Sequence, residues 1–371
     1  MRILIKTLAG LEGVLAKEIE NFGGKNLKIR KRAIECEGDL HFLYSANLNL
    51  RTALKVLVPI YEFKARTEKE LYDRIYDHDW SQYLAKHQTF AIDNTVFSEY
   101  FRHSKYAALK AKDAIVDQFR KKYGERPSVN IDYPDIQFNL HAFKDHFSVS
   151  LDSSGAPLNQ RGYRSKGHAA PLNEVLAAGM IKISGWSPDQ KLLDPMCGSG
   201  TILTEAAMMA YNIPPNLNRK NFGFRGWNDF EPMLWHRIKL EAESKIRKIP
   251  VDISGYDIDR NAVALSKRSF KAMDLGREIS VRHADFFTYK NRGQFNGMLI
   301  TNPPYGERIG EEISDLYQKL GDQLKQNFQG GTAWILSSNK SALRSLRLRP
   351  EEKVSLYNGS LACEFCKYEL F

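Results

Sequence analysis

From residue 191 onward the chain alternates short apolar runs with stretches of helical spacing. KLLDPM precedes a helix-like stretch at 200–211, DISGYDI one at 260–275, and FNGMLI one at 312–326; EISVRHA and TAWILSS supply two further runs. Apolar runs of this length, interleaved with helices, read as strands of a parallel sheet. Strand–helix–strand units cross over with one hand and cover both faces of such a sheet with helices. The fold then puts every parallel strand's C-terminus on one edge, and ligands of open α/β sheets bind along that edge. Whatever chemistry the chain performs should be sought where these strands end.

Polar residues mark those ends: Asp194 in LLDPMCGSGT, Asp257 in GYDIDR, Asp285 in RHADFF and Asn302 in TNPPYGER. A single acid after a strand is a weak sign, but three on successive strand ends form a pattern. Gly198 and Gly200 let the backbone pass close to a ligand, and Thr201 opens a helix. The third glycine of the pyrophosphate fingerprint is missing, so the loop suits a ligand with an ammonium group and a nucleoside. Asp257 stands where such sheets read ribose hydroxyls, Asp259 caps the next helix, and the Asp285 carboxylate suits the exocyclic amine of adenine.

TNPPYGER asks for different chemistry. The amino group of a nucleobase is a poor nucleophile because its lone pair is delocalised into the ring. The Asn302 side-chain oxygen and the Pro303 carbonyl can accept its two N–H bonds and so favour a pyramidal nitrogen. Pro303 and Pro304 hold the backbone rigid, and Tyr305 offers a ring for stacking. The arrangement fits a base taken out of its stack.

The first 155 residues differ in kind. Alternating runs at 2–8, 53–63, 88–97, 135–143 and 146–152, with helical spacing at 11–22, 39–50, 67–80 and 105–123, make a mixed α+β region without a catalytic constellation. The stretch SSGAPLNQRGYRSKGHAAP is basic and rich in Gly, Pro and Ser, and reads as a linker. At the other end EKVSLYNGSLACEFCKYELF reads as two strands about an Asn358-Gly359 turn.

Composition narrows the partners. The formal charge is +10, which favours a polyanion, and the linker residues Arg161, Arg164 and Lys166 are candidate phosphate contacts. No apolar run reaches the ~18 residues of a membrane span. Glu12 and Glu18 interrupt the N-terminal apolar stretch, so it reads as strand and helix of a cytoplasmic protein rather than a signal peptide. Four cysteines give no disulfide framework, and Cys363-x-x-Cys366 lacks the other half of a zinc site. No metal site is expected.

The order DPMCGSG, GYDID, HADFF, TNPPYGER, with the linker phrase LNQRGYR…APLNEVLAAGM and the terminal YNGSLACEF, resembles the THUMP-domain guanine-N2 RNA methyltransferases, among them the bacterial 23S ribosomal RNA enzymes. The N-P-P-Y box alone also occurs in DNA adenine and protein glutamine enzymes; the linker and the full-length order carry the narrower likeness. The resemblance implies a ferredoxin-like segment at 1–52, a THUMP RNA-binding domain at 53–155, and a Rossmann-like class I domain at 156–371 that begins with the basic linker 156–171 and ends in an antiparallel hairpin. It implies S-adenosylmethionine as cofactor, held by Asp194, Pro195, Cys197, Gly198, Ser199, Gly200 and Thr201, by Asp257 and Ile258, and by Asp285, Phe286 and Asn302. Asn302, Pro303, Pro304 and Tyr305 would serve the reaction, and Pro171, Asn173 and Glu174 would lie near the site. The implied partner is 23S ribosomal RNA, free or in a precursor particle. Some relatives carry a second methyltransferase; because the sequence stops at Phe371, one activity is expected. Transfer RNA as substrate, an RNA-binding assembly factor without catalysis, and a DNA amino-methyltransferase are the competing readings. The oligomeric state is left open.

Overall fold

A computed structural model describes residues 1–101, 103–164, 172–275, 279–290, 294–304 and 310–371. Two sheets organise them. The first has eight strands: β1 (Arg2–Lys6), β2 (Lys25–Arg30), β3 (Ala33–Glu37), β4 (Lys55–Lys64), β5 (Thr89–Phe97), β6 (Ser128–Val129), β7 (Ile136–Phe143) and β8 (His146–Asp152), in the order β2-β3-β1-β4-β8-β7-β5-β6. It runs unbroken across residue 52, because β4 pairs with both β1 and β8. Helices α1 (Glu12–Asn21), α2 (Leu40–Asn49), α3 (Glu68–Asp77) and α4 (Ser104–Tyr123) belong to the same half.

Local signals explain these helices. Asp39 caps α2 by accepting from the Phe42 amide at 2.8 Å. Thr67 caps α3 at the Glu70 amide, and Glu70 reaches back to the Arg66 amide at 2.7 Å, so two helix-end donors are satisfied at once. Gly124 ends α4 in the left-handed region at φ 70°. Beneath the helices the sheet buries Ile3, Ile5, Phe90, Phe138, Leu140, Phe147 and Val149.

The second sheet holds the parallel strands read from the sequence. β9 (Lys191–Asp194), β10 (Ile253–Asp257), β11 (Ile279–His283), β12 (Gly297–Thr301) and β13 (Thr332–Ser337) run parallel, and the hairpin β14 (Glu352–Asn358) and β15 (Leu361–Glu369) joins antiparallel, in the order β11-β10-β9-β12-β13-β15-β14. Helices α5 (Glu174–Ser184), α6 (Thr201–Ala210), α7 (Pro232–Ser244), α8 (Arg260–Ala272), α9 (Gly310–Asn327) and α10 (Lys340–Ser345) complete this half. Separate apolar cores lie on its two faces, one holding Leu192, Ile300 and Phe365, the other Leu193, Leu299 and Ile335. Burial on both faces explains why these strands read as continuous apolar runs. Cys363 packs in the first of these cores and Cys366 in the second, so the pair divides across the sheet and cannot share a metal. Among the described residues no group of His, Cys, Asp and Glu is placed to hold a metal ion, and no helix is long and apolar enough to cross a membrane.

The two halves are joined by apolar packing and by buried polar contacts. Phe222, Phe224 and Trp227 join the core of the first half, and the Tyr44 and Phe224 rings lie 4.5 Å apart. Asn216 donates to the Asn47 carbonyl at 3.0 Å, and Arg51 donates to the Ile213 carbonyl at 2.6 Å. Residues 213–244 carry no clean period in the sequence, so no local signal marks this packing.

The described part of the stretch expected as a linker, which ends at Arg164, is also packed. Leu158 and Tyr163 are buried, and Arg219 grips the carbonyls of Ser154, Ala156 and Pro157. Arg161, expected to meet RNA phosphates, is 1% exposed. Its guanidinium pairs with buried Glu205 at 3.2 Å and donates to the Leu158 and Arg51 carbonyls. It cannot reach a phosphate; it neutralises Glu205, which also accepts from the Tyr163 hydroxyl at 3.0 Å.

Candidate active site

The C-terminal edge of the second sheet gathers the residues singled out above. β9 ends at Asp194, which is 2% exposed. Its Oδ1 accepts from the Thr301 hydroxyl at 2.9 Å and from the Met196 amide at 3.2 Å. The first bond ties the end of β9 to the end of its neighbour β12, one residue before Asn302. Burial, with the Asp257 charge adding to it, pushes the Asp194 carboxyl up to about 7.

The turn after Asp194 is built from backbone. The Cys197 amide bonds the Tyr256 carbonyl at 2.9 Å, and the Gly200 amide the Cys197 carbonyl at 2.8 Å. Gly198 and Gly200 take φ of +52° and +72°, a region that disfavours side chains. A Cβ on Gly200 would lie 3.0 Å from the Phe270 ring, whereas one on Gly198 would meet nothing within 4 Å. Gly198 therefore faces open space at the strand ends. Ser199 and Thr201 are buried with their hydroxyls 3.4 Å apart, and Cys197 is buried as well.

Asp257 ends β10 beside this turn. One oxygen accepts from the Gly198 amide at 2.8 Å and the other from the Asp259 amide at 2.9 Å, while Asp259 caps α8. A carboxylate has about four acceptor positions, so Asp257 both braces the glycine turn and keeps capacity for a ligand. Ile258 next to it is 72% exposed. On the adjoining strand end, Asp285 accepts from the Phe287 amide at 2.9 Å. Phe286 turns its ring into the core, 5.3 Å from Phe328, and its carbonyl accepts from Gln323.

Asn302 follows β12. Its Oδ1 is buried and has no hydrogen-bond partner among the described residues. A buried acceptor left unpaired costs about 1–3 kcal/mol, and such groups mark places where a ligand supplies the missing donor. Pro303 is buried and Pro304 exposed. Tyr305, Lys166 and Pro171 lie outside the described residues.

Arg164 packs beside the glycine turn. It pairs with Glu174 at 3.3 Å and donates to the Leu172 carbonyl at 2.5 Å and the Thr201 hydroxyl at 3.3 Å. Asn173 caps α5 through the Val175 and Leu176 amides. Arg164 thus holds residues 172–174 against the start of α6. Thr301, Glu205 and Ser266, whose hydroxyl donates to the Gly198 carbonyl at 2.7 Å, were missed in the sequence. Only the position of Thr301, directly before the Asn-Pro-Pro run, offered a sign.

The donor set fits S-adenosylmethionine. A buried acid poised near neutrality awaits a cation, the glycine turn opens onto space, and an acid with an exposed apolar neighbour stands on the adjoining strand end.

Comparison with known proteins places the chain in a family. A model described as RMKL-like, methyltransferase domain, matches residues 161–367, a THUMP domain matches 65–152, and an RlmL ferredoxin-like domain matches 2–57. A candidate RNA methyltransferase of Synechocystis sp. is 38% identical over 365 residues, covering 98% of this chain and 95% of that protein. The ribosomal RNA large subunit methyltransferase K/L of Syntrophotalea carbinolica is 35% identical over 375 residues, which cover 97% of this chain and 52% of that longer protein. The crystal structure of SMU.472, a candidate methyltransferase in complex with SAH, superposes with a TM-score of 0.90 at 29% identity, covering 100% of this chain and 98% of that one. The chain belongs to the RlmL-related RNA methyltransferases: an S-adenosylmethionine-dependent enzyme whose Rossmann-like domain follows a ferredoxin-like and THUMP region.

Proposed function

We propose that the protein methylates the exocyclic N2 amine of a guanosine in 23S ribosomal RNA. The observation that carries this reading is the buried Oδ1 of Asn302 at the end of β12, without a hydrogen-bond partner among the described residues and tied through Thr301 to Asp194. An amino group supplies the donor that oxygen lacks. The name of the large-subunit ribosomal RNA relative supports the choice of RNA, and the protein is taken to act in the cytoplasm.

In this reading residues 156–371 form the catalytic domain, 53–155 the THUMP domain and 1–52 the ferredoxin-like segment. Asp194 faces the ammonium of the cofactor's methionine part, and the turn from Pro195 to Thr201 encloses that part with its backbone, since the Cys197 side chain is buried. Asp257 accepts from the ribose hydroxyls. Ile258 lies against adenine, Asp285 accepts from its amine, and Phe286 contributes backbone alone. Bound S-adenosylmethionine supplies a methyl group on a sulfonium, an electrophile that leaves as a neutral thioether.

The chain's own part is to shape the nucleophile. Asn302 Oδ1 and the Pro303 carbonyl accept the two N–H bonds of the guanine amine, and the prolines fix those acceptors in advance. The nitrogen lone pair is then aimed instead of being spread into the ring. Tyr305 stacks on the base. Once the nitrogen carries the methyl group it is positively charged and acidic, so its proton passes to water, and no residue with a tuned pKa is required.

The test is direct. Unmodified 23S ribosomal RNA and transfer RNA are incubated with the protein and isotope-labelled cofactor, digested, and analysed by nucleoside mass spectrometry. Label in N2-methylguanosine from 23S ribosomal RNA is expected. Label confined to transfer RNA, or found in another nucleoside, contradicts the reading.

A further inference from the structure

The open face of the first sheet has no part in the chemistry above. Across β4, β8, β7 and β5, the residues Lys64, His146, Phe143 and Phe97 are register partners in one line. Partners directly opposite one another point to the same face, so the four side chains make a row across one end of the sheet. The next row, Phe63, Phe147, Ala142 and Val96, points the other way. There the Phe63 and Phe147 rings stack 5.3 Å apart and Phe147 is buried.

Phe97 and Phe143 are 64% and 58% exposed. Their strands are immediate neighbours, about 4.8 Å apart, so two apolar rings stand side by side in water. Cations frame them. Lys144 lies 5.8 Å from the centre of the Phe143 ring. It is held there by the turn, its amide bonding the Phe97 carbonyl at 2.8 Å and its carbonyl accepting from Ser98 at 2.6 Å. Arg66, fixed by Asp145 at 3.0 Å, lies 5.8 Å over the exposed ring of Tyr100. Arg66 takes up the charge of Asp145, and Arg2 that of Glu62 at 2.7 Å. Among the described residues Lys64 and Lys144 remain as cations at the row, and Glu99, two residues after Phe97 in the chain, is an exposed carboxylate.

We propose that this row is a stacking platform for unpaired bases of the RNA substrate, separate from the site that holds the reacting guanine. The inference rests on the RNA reading above. Exposed rings with cations beside them are what single-stranded nucleic acid needs: a π-face for the base and a charge for the phosphate next to it. An exposed sheet face carrying aromatic rings is a known way to hold two or three bases. A protein partner is a poorer fit, because lysine is depleted at protein interfaces and two rings fall far short of the ~800 Å² that a stable partner buries on each side.

The test uses the full chain and two probes, a single-stranded oligoribonucleotide and the duplex of the same sequence, with affinity read by fluorescence anisotropy. Phe97→Ala and Phe143→Ala should each weaken single-strand binding by about 5- to 100-fold and change duplex binding little. Phe143→Tyr, which keeps a ring, should bind near wild type. Cofactor affinity, measured by calorimetry, should stay at the wild-type value and reports an intact fold. Asn302→Ala should bind the single strand like wild type while failing to methylate, which separates the platform from the reacting site. Unchanged single-strand affinity in the alanine variants overturns the platform, as does an equal loss for duplex and single strand. A wild-type dimer that the alanine variants turn into monomers, with RNA affinity unchanged, assigns the face to a second copy and likewise overturns it. A wild-type enzyme that methylates some other nucleotide overturns the proposed activity and leaves this comparison standing.

Discussion

Replacing Asp194 by Asn removes a charge from a site too buried to hold one comfortably. Its carboxyl is raised from the ordinary 3.8 to about 7 by burial, with Asp257 adding to the shift. That rise corresponds to an upper bound of ~4 kcal/mol for keeping the group ionised in the free protein. The folded value lies above the unfolded one, so the free protein keeps a proton that the unfolded chain has released, and stability falls as pH rises from about 4 through 7. A ligand ammonium beside the carboxylate reverses that preference. Binding then draws on the ionised form, about one tenth of molecules at pH 6 for a group near 7, so affinity at pH 6 should be roughly tenfold below its plateau above pH 8. The Thr301 hydroxyl and the Met196 amide both donate to Oδ1, and Asn keeps that oxygen. Asp194→Asn should therefore gain stability at pH 8, by up to ~4 kcal/mol, yet bind the cofactor weakly and without pH dependence. Urea unfolding and calorimetry between pH 5.5 and 8.5 measure both. A wild-type affinity that is flat across this range, or an unchanged affinity in the variant, refutes the assignment.

Gly200→Ala should lower stability by at least ~1 kcal/mol, since a side chain is strained at φ +72° and would press on Phe270; chemical denaturation measures this, and cofactor affinity should fall with it. Glu205→Ala strands the Arg161 guanidinium where both side chains are 0% exposed, and should cost about 3–5 kcal/mol in a urea midpoint experiment. Asp257→Ala removes the acceptor of the Gly198 amide and a ribose partner, and should weaken cofactor binding by about 1.5–3 kcal/mol by calorimetry.

The regular parts of the fold were legible because each carries a local cause. Thr67 and Asp39 cap their helices, Lys144 turns a hairpin at φ 56°, and the two-faced burial of β9 and β12 leaves apolar runs that period and length identify. The edge that gathers Asp194, Gly198, Asp257 and Asn302 followed from topology, since parallel strands end together. Long-range pairing was not legible. Arg161 looked like a phosphate contact because its partner, Glu205, lies 44 residues away inside the apolar helix TILTEAAMMA, where nothing in the sequence marks it as a counter-charge. The Thr301–Asp194 bond spans 107 residues and depends on two strands being neighbours. The segment at 213–244 lacks a period because it packs through scattered aromatics such as Phe224 and Trp235 rather than through one amphipathic face.

The central claim is that the Asn302 acceptor, which has no partner among the described residues, activates the guanine amine by geometry. Single-turnover methylation of 23S ribosomal RNA by wild type and Asn302→Ala, at saturating cofactor, measures it most directly. Removing one preorganised polar partner should slow the step by at least ~100-fold, with cofactor affinity and RNA binding near wild type. A variant that forms N2-methylguanosine at a near-normal rate contradicts the account.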